Sequence, residues 1–172
     1  MIPAGKDWCK QFPTSVSLDD LISPFKENCK AFIAALEAAG AKVSIAATFR
    51  PPERAYLMHY CCMIAFSKMD PAAVPPMAGV DIQWDLGNAP DSIRAASDMA
   101  KGYDIAFPAA LVSRHTQRRA IDMTVSFQGN ATLELPHIEI RSTVPSTLWA
   151  AGATFKVIKL ISDPPHWSDD GH

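Results

Sequence analysis

The stretch from Ile121 to Phe127 alternates between apolar and polar side chains, and it constrains the fold of this 172-residue chain more than any other feature. Such alternation is typical of a strand with one buried face. Asp122 lies on the face that points away from the core, between two apolar neighbours. A carboxylate in that position needs a partner, since an uncompensated charge is expensive to bury.

Other patterns predict a mixed architecture around this strand. Helical spacing begins at the capping residue Ser17, is interrupted at Pro24 and ends at Gly40. The remaining predicted elements are helices over 51–68, 91–101 and 145–151, and strands over 42–49, near 138–140 and over 155–161. We therefore expect an α+β fold, a small antiparallel sheet flanked by helices, in a single domain spanning 1–172.

The overall composition excludes several classes of partner. The net charge of -2, with 20% charged residues, offers no field for nucleic acid or an anionic membrane. No apolar run approaches the roughly 20 residues that span a bilayer, and the start of the chain lacks the pattern of a secretory signal. We expect a protein that does not insert into membranes, and no pattern indicates an oligomeric state.

The four cysteines do not form a metal-binding motif. None of them has the CxxC spacing of a zinc knuckle. Adjacent Cys61 and Cys62 fall in a predicted helix and are interpreted as ordinary thiols. A disulfide between Cys9 and Cys29 is left open by the sequence.

A histidine and a carboxylate stand at the approach to the alternating strand. His115 lies on a predicted loop, and Asp122 follows seven residues later on the open strand face. Imidazole nitrogen and carboxylate oxygen are both good zinc ligands. Taken alone, His115 is more often a surface or satisfied histidine.

A second polar group follows the last predicted strand, in the sequence Asp163-Pro164-Pro165-His166-Trp167. Two prolines favour polyproline geometry with three residues per turn, so Asp163 and His166 are expected to project to the same side. The alternative is a proline-rich exit loop with incidental polar residues. His115, Asp122 and His166 together would supply three ligands and leave a fourth position open, as in catalytic zinc sites.

These two motifs resemble those of the zinc D-Ala-D-Ala carboxypeptidase and L-Ala-D-Glu endopeptidase family, the LAS peptidases, whose fold is shared with the Hedgehog signalling domain. That family reads Ser-x-His-x-x-Gly-x-Ala-x-Asp, and the matching residues of this chain are Ser113, His115, Ala120 and Asp122. It also reads an acidic residue, two positions, then His and often an aromatic. That second motif is matched by Asp163, His166 and Trp167.

The resemblance implies a function and a set of roles. One Zn²⁺ per chain would be held by His115, Asp122 and His166, with Asp163 as general base. Arg50, after the strand over 42–49, is similar to the arginine that steadies the scissile carbonyl, and Ser113 would contact substrate or only shape its loop. The implied substrate is the peptidoglycan stem peptide, so the implied place of action is the cell wall.

Aspartate in place of glutamate at the acidic position of the second motif, here Asp163, resembles the L-Ala-D-Glu endopeptidase branch of the family. The alternatives are a D-Ala-D-Ala carboxypeptidase and a non-catalytic zinc-stabilised module that binds cell wall or a protein. The chain departs from the family at the motif glycine, which is replaced by Arg118. We expect a shifted loop or a milder backbone angle at that residue.

Overall fold

The computed structural model describes all residues from Met1 to His172. It contains four α-helices and eight short strands. The helices are α1 (Phe25–Ala38), α2 (Pro52–Ala65), α3 (Ala89–Gly102) and α4 (Pro145–Thr154). The strands are β1 (Ile2–Pro3), β2 (Lys42–Ala47), β3 (Ile82–Gln83), β4 (Ala120–Ser126), β5 (Ala131–Glu134), β6 (His137–Ile140), β7 (Ile158–Lys159) and β8 (His166–Ser168). The predicted α+β class is confirmed.

The chain divides into two compact units, and each unit is built from two separate stretches. The first unit comprises 1–14 and 50–116, and the second comprises 15–49 and 117–172. No linker or shift in composition marks this division in the sequence.

The first unit is a helical pair with a small parallel ladder. Helices α2 and α3 pack on each other, and Asn88 caps α3 by accepting a hydrogen bond from the Asp91 amide over 2.9 Å. Strands β1 and β3 pair in parallel. The proline-rich stretch 70–90, in which no strand is predicted from the sequence, therefore contributes β3.

The second unit contains the antiparallel sheet, in the order β2-β4-β8-β7. Its core lies between the sheet, helix α1 and the β5–β6 hairpin, because the inward side chains of β4 alternate with outward ones as predicted. The largest fully buried side chains of this core include Phe25, Phe32, Leu36, Ile121, Leu133, Ile140 and Val157.

The end of the sheet differs from the prediction. The last strand was expected over 155–161, but β7 covers only Ile158–Lys159. The segment expected to follow the last strand contains β8, an inner strand of the sheet. A three-residue strand is too short to show alternation, and the preceding prolines indicated a loop. None of the four helices has the length and apolar character needed to cross a bilayer.

Close packing of α4 against β8 gives a stability prediction. A Cβ added at Gly152 would lie 2.6 Å from the Trp167 ring and 2.6 Å from the Val157 carbonyl oxygen. Gly152→Ala is therefore expected to lower the free energy of unfolding by about 1–3 kcal/mol, although alanine favours helix. Chemical denaturation measures this.

The matched control is Gly5→Ala, because a Cβ there meets nothing within 4 Å and the backbone is extended. The control is expected to leave stability unchanged. Equal stability of the two variants would show that Gly152 has room for a side chain.

Candidate metal centre

Two of the predicted ligands face each other on neighbouring strands. Asp122 of β4 pairs with His166 of β8, directly beside the pair Ile121 and Trp167. Side chains alternate along a strand, so burial of Ile121 and Trp167 in the core turns Asp122 and His166 together to the opposite face. The sheet register thus sets the spacing of the two ligands.

The His166 ring is held by a hydrogen bond at each nitrogen. Nδ1 lies 3.1 Å from Asp122 Oδ1, and Nε2 lies 3.2 Å from the His172 carbonyl oxygen. Burial lowers the pKa of His166, but the hydrogen bonds to Asp122 and His172 outweigh it and leave the pKa above its ordinary value.

These hydrogen bonds determine which protonation states make the contact between His166 Nδ1 and Asp122 Oδ1 favourable. A carbonyl oxygen only accepts, so Nε2 carries a hydrogen, and a neutral ring then leaves Nδ1 with a lone pair. An ionised carboxylate also only accepts. The 3.1 Å contact is therefore favourable when a proton or a cation stands between Nδ1 and Oδ1.

His115 is the third predicted ligand and is 4% exposed. Its carbonyl oxygen accepts a hydrogen bond from the Arg50 amide over 3.2 Å. The residues before it form a closed turn, in which the Ser113 amide donates to Thr116 Oγ1 and the Thr116 amide donates to Ser113 Oγ. Ser113 therefore helps to close the turn that precedes His115.

His115, Asp122 and His166 form a group that can hold a metal ion. Their donor atoms all lie within 4.8 Å of one another. Two donors bound to one tetrahedral ion at typical zinc distances lie roughly 3.3–3.6 Å apart. The observed separations need only small side-chain adjustments to meet that spacing, so the residues fit a bound ion.

Asp163 lies on the turn that leads into β8, and its side chain is exposed. The Asp163 carbonyl oxygen accepts the His166 amide over 3.1 Å, which closes a four-residue turn. This corrects the prediction of polyproline geometry, which has no internal hydrogen bonds. The Asp163 charge also contributes, as the smallest of the causes, to the raised pKa of His166.

Arg118 has a left-handed backbone conformation, with φ of 62°. The expectation of a milder backbone angle is therefore wrong. The arginine is accommodated because its guanidinium lies 4.2 Å from the centroid of the Phe49 ring and its carbonyl oxygen accepts the Ile22 amide over 3.1 Å. These contacts offset the strain of a side chain at positive φ.

The approach to Arg50 is less regular than predicted. A register shift between Ile45 and Ala47 breaks the alternation of β2. Thr48, inside the predicted strand over 42–49, is fully buried and donates to the Ser17 carbonyl oxygen. The alternation of side chains along β2 therefore does not determine which way Arg50 faces. Arg50 is half-buried, and its backbone amide donates a hydrogen bond to the His115 carbonyl oxygen.

Lys159 is a residue that sequence reasoning missed. Its Nζ donates to the carbonyl oxygens of Leu160, Asp163 and His166. Burial lowers the pKa of Lys159, although the charges of Asp163 and Asp122 oppose the shift. The only signal in the sequence was a lysine in the apolar stretch before the second motif.

The remaining histidines and cysteines have other roles. His137 and Glu139 are exposed on β6, and His59 Nδ1 lies 2.8 Å from the Ala109 carbonyl oxygen. All four cysteines are free thiols, so the Cys9–Cys29 disulfide left open by the sequence is not formed. Burial raises the pKa of Cys29 to about 12, which makes that thiol unreactive.

Comparisons of the chain with protein-family models, with curated proteins and with solved structures gave no match in any of the three.

Proposed function

We propose that the protein is a zinc peptidase that hydrolyses the L-Ala-D-Glu bond of peptidoglycan stem peptides, on a Hedgehog-like fold. The convergence of His115, Asp122 and His166 within 4.8 Å carries this proposal. The donor set supports zinc over calcium or magnesium, which prefer shells made of oxygen. Three protein ligands also match a catalytic zinc site, which keeps a position open.

A zinc ion held by these three residues would supply Lewis-acid activation of water and of the scissile carbonyl. The Asp163 carboxylate takes the proton of the attacking water and returns it to the leaving amine. Its exposure and its place on the turn before His166 support this assignment.

Arg50 and Ser113 act on the substrate. The Arg50 guanidinium stabilises the negative charge that develops on the carbonyl oxygen. Ser113 Oγ accepts the Thr116 amide, so its own hydrogen is available for a substrate oxygen. Ser113 lies two residues before His115 in the chain, and the Arg50 amide donates a hydrogen bond to the His115 carbonyl oxygen. This proximity to a proposed ligand supports a shared role of the two residues.

Digestion of intact peptidoglycan by the zinc-loaded protein tests the function. Mass spectrometry should find stem peptides cut between L-Ala and D-Glu. Release of D-alanine alone would identify a D-Ala-D-Ala carboxypeptidase instead. Stable zinc binding with no product from any wall preparation would overturn the enzyme and favour a binding module.

Arg50→Ala is expected to lower kcat by on the order of 10²–10³, the effect of removing one donor to a developing oxyanion. Zinc content should be kept, because Arg50 supports His115 through its backbone amide. Steady-state kinetics on a stem peptide and elemental analysis measure both.

The control is Arg94→Ala, since Arg94 is exposed on α3 and paired only with nearby Asp91. It should retain the parent rate. A rate for Arg50→Ala equal to that of the control would remove Arg50 from the catalytic residues.

A further inference from the structure

Three backbone hydrogen bonds close the loop 160–166 between β7 and β8. The Leu160 amide donates to the His166 carbonyl over 3.1 Å, the Asp163 amide to the Leu160 carbonyl over 3.2 Å, and the His166 amide to the Asp163 carbonyl over 3.1 Å. Each of the three residues both donates and accepts within this set. The loop is therefore a small closed ring of backbone bonds.

The ammonium of Lys159 binds all three carbonyl oxygens of that ring. Its bond to the His166 carbonyl is 3.0 Å long, and it also donates to the carbonyls of Leu160 and Asp163. A lysine ammonium has three hydrogen-bond donors, and in this loop each has a partner. Nζ also lies 5.7 Å from the centroid of the Trp167 ring, a distance suited to a cation–π contact.

Outside this set, one backbone bond joins the loop to β4, from the Met123 amide to the Pro165 carbonyl oxygen over 2.9 Å, and the middle of the loop is open to solvent. Residues 161–164 are all exposed, and Ile161 is 67% exposed. No apolar side chain of this segment is therefore buried to fix its position. Charge-assisted hydrogen bonds are about twice as strong as neutral ones, so the Lys159 contacts are a main restraint on the loop.

We propose that Lys159 is a positioning residue, which holds the Asp163 carboxylate and the His166 ring in place by binding the carbonyl oxygens of both residues. Where this concerns catalysis, it rests on the function proposed above. Lys159 acts through the loop and touches neither substrate nor metal. Its role resembles that of the outer partners of metal ligands, whose loss typically lowers metal affinity or activity by about 10–100-fold.

Lys159→Met tests the proposal, because methionine keeps a long flexible side chain and loses the ammonium. Amide hydrogen exchange of Leu160, Asp163 and His166 is expected to accelerate at least about 10-fold, while the β2–β4 amides keep their protection. Zinc affinity, measured by chelator competition, should fall about 10–100-fold. In the active enzyme kcat should fall and KM should change little, because Asp163 and not substrate binding is disturbed.

Two further variants sharpen the test. Lys156→Met makes the same chemical change three residues earlier, at an exposed side chain, and should leave exchange and zinc affinity unchanged. Lys159→Arg keeps the charge, but its planar guanidinium suits three converging carbonyls less well. It should give values between the parent and Lys159→Met.

Unchanged exchange at these three amides, with zinc affinity within twofold of the parent, would overturn the positioning role. If Lys159→Met does not fold, the exchange rates of the same three amides are measured in Lys159→Arg, and unchanged rates there would likewise overturn the positioning role. Failure of the proposed function is distinguishable. A parent protein that hydrolyses no stem peptide contradicts that function, whereas amide exchange and zinc affinity still decide the role of Lys159.

Discussion

His115→Ala is expected to abolish zinc binding and, with it, the proposed hydrolysis. The substitution leaves Asp122 and His166 as the only protein ligands of the three. Structural zinc sites are worth about 10–16 kcal/mol in total, so one ligand accounts for roughly 3–4 kcal/mol and more than about 10²-fold in affinity. Chelator competition and elemental analysis of protein purified without chelator measure the loss.

The fold should survive this change. The interaction of His115 with Arg50 uses the His115 carbonyl oxygen, which alanine retains. His137→Ala, at an exposed position of β6, is the matched control and should keep one zinc per chain. If His115→Ala still held zinc at one ion per chain, or if the parent protein took up none on titration, the metal centre would be wrong.

Asp163→Asn is expected to lower kcat by roughly 10²–10⁴, the range that general acid–base groups contribute, while zinc content stays close to the parent. The turn that carries Asp163 is closed by its backbone carbonyl, and the side chain is exposed. Asparagine therefore preserves the loop and removes only the base. Melting temperature, zinc affinity and stem-peptide kinetics are measured on the same preparation.

The control for this variant is Asp98→Asn, at an exposed position of α3, which should leave all three measurements unchanged. Two other outcomes are informative. Loss of zinc from Asp163→Asn would make Asp163 a ligand and require revision of Asp122. Full activity would show that another group moves the proton.

The sequence predicted the parts of the fold that repeat a pattern. The alternation of 121–127 placed Asp122 opposite the core side chains, and β4 has that arrangement. The spaced motifs around His115 and His166 brought together the three residues whose donor atoms converge. Both predictions depend on local periodicity or on motif spacing, which a single sequence displays.

Features that depend on the tertiary structure were not predictable in this way. The register shift in β2 and the three residues of β8 carry no periodic signal, because each is fixed by pairing with β4. Lys159 binds backbone carbonyls, which every residue has, so no side-chain pattern marks its partners. The contact of the Arg118 guanidinium with the Phe49 ring likewise joins residues that are distant in sequence.

The place of β8 inside the sheet makes the metal centre depend on the hydrophobic core. A slip of β8 by one residue along β4 would move Trp167 from the core to the opposite face and separate His166 from Asp122 at the same time. Misregistered forms are therefore less stable, because they expose the Trp167 side chain, which is only 2% exposed in the native sheet. Selection on metal binding would consequently act on Trp167 and on the core residues packed around it, although Trp167 is not one of the three candidate ligands.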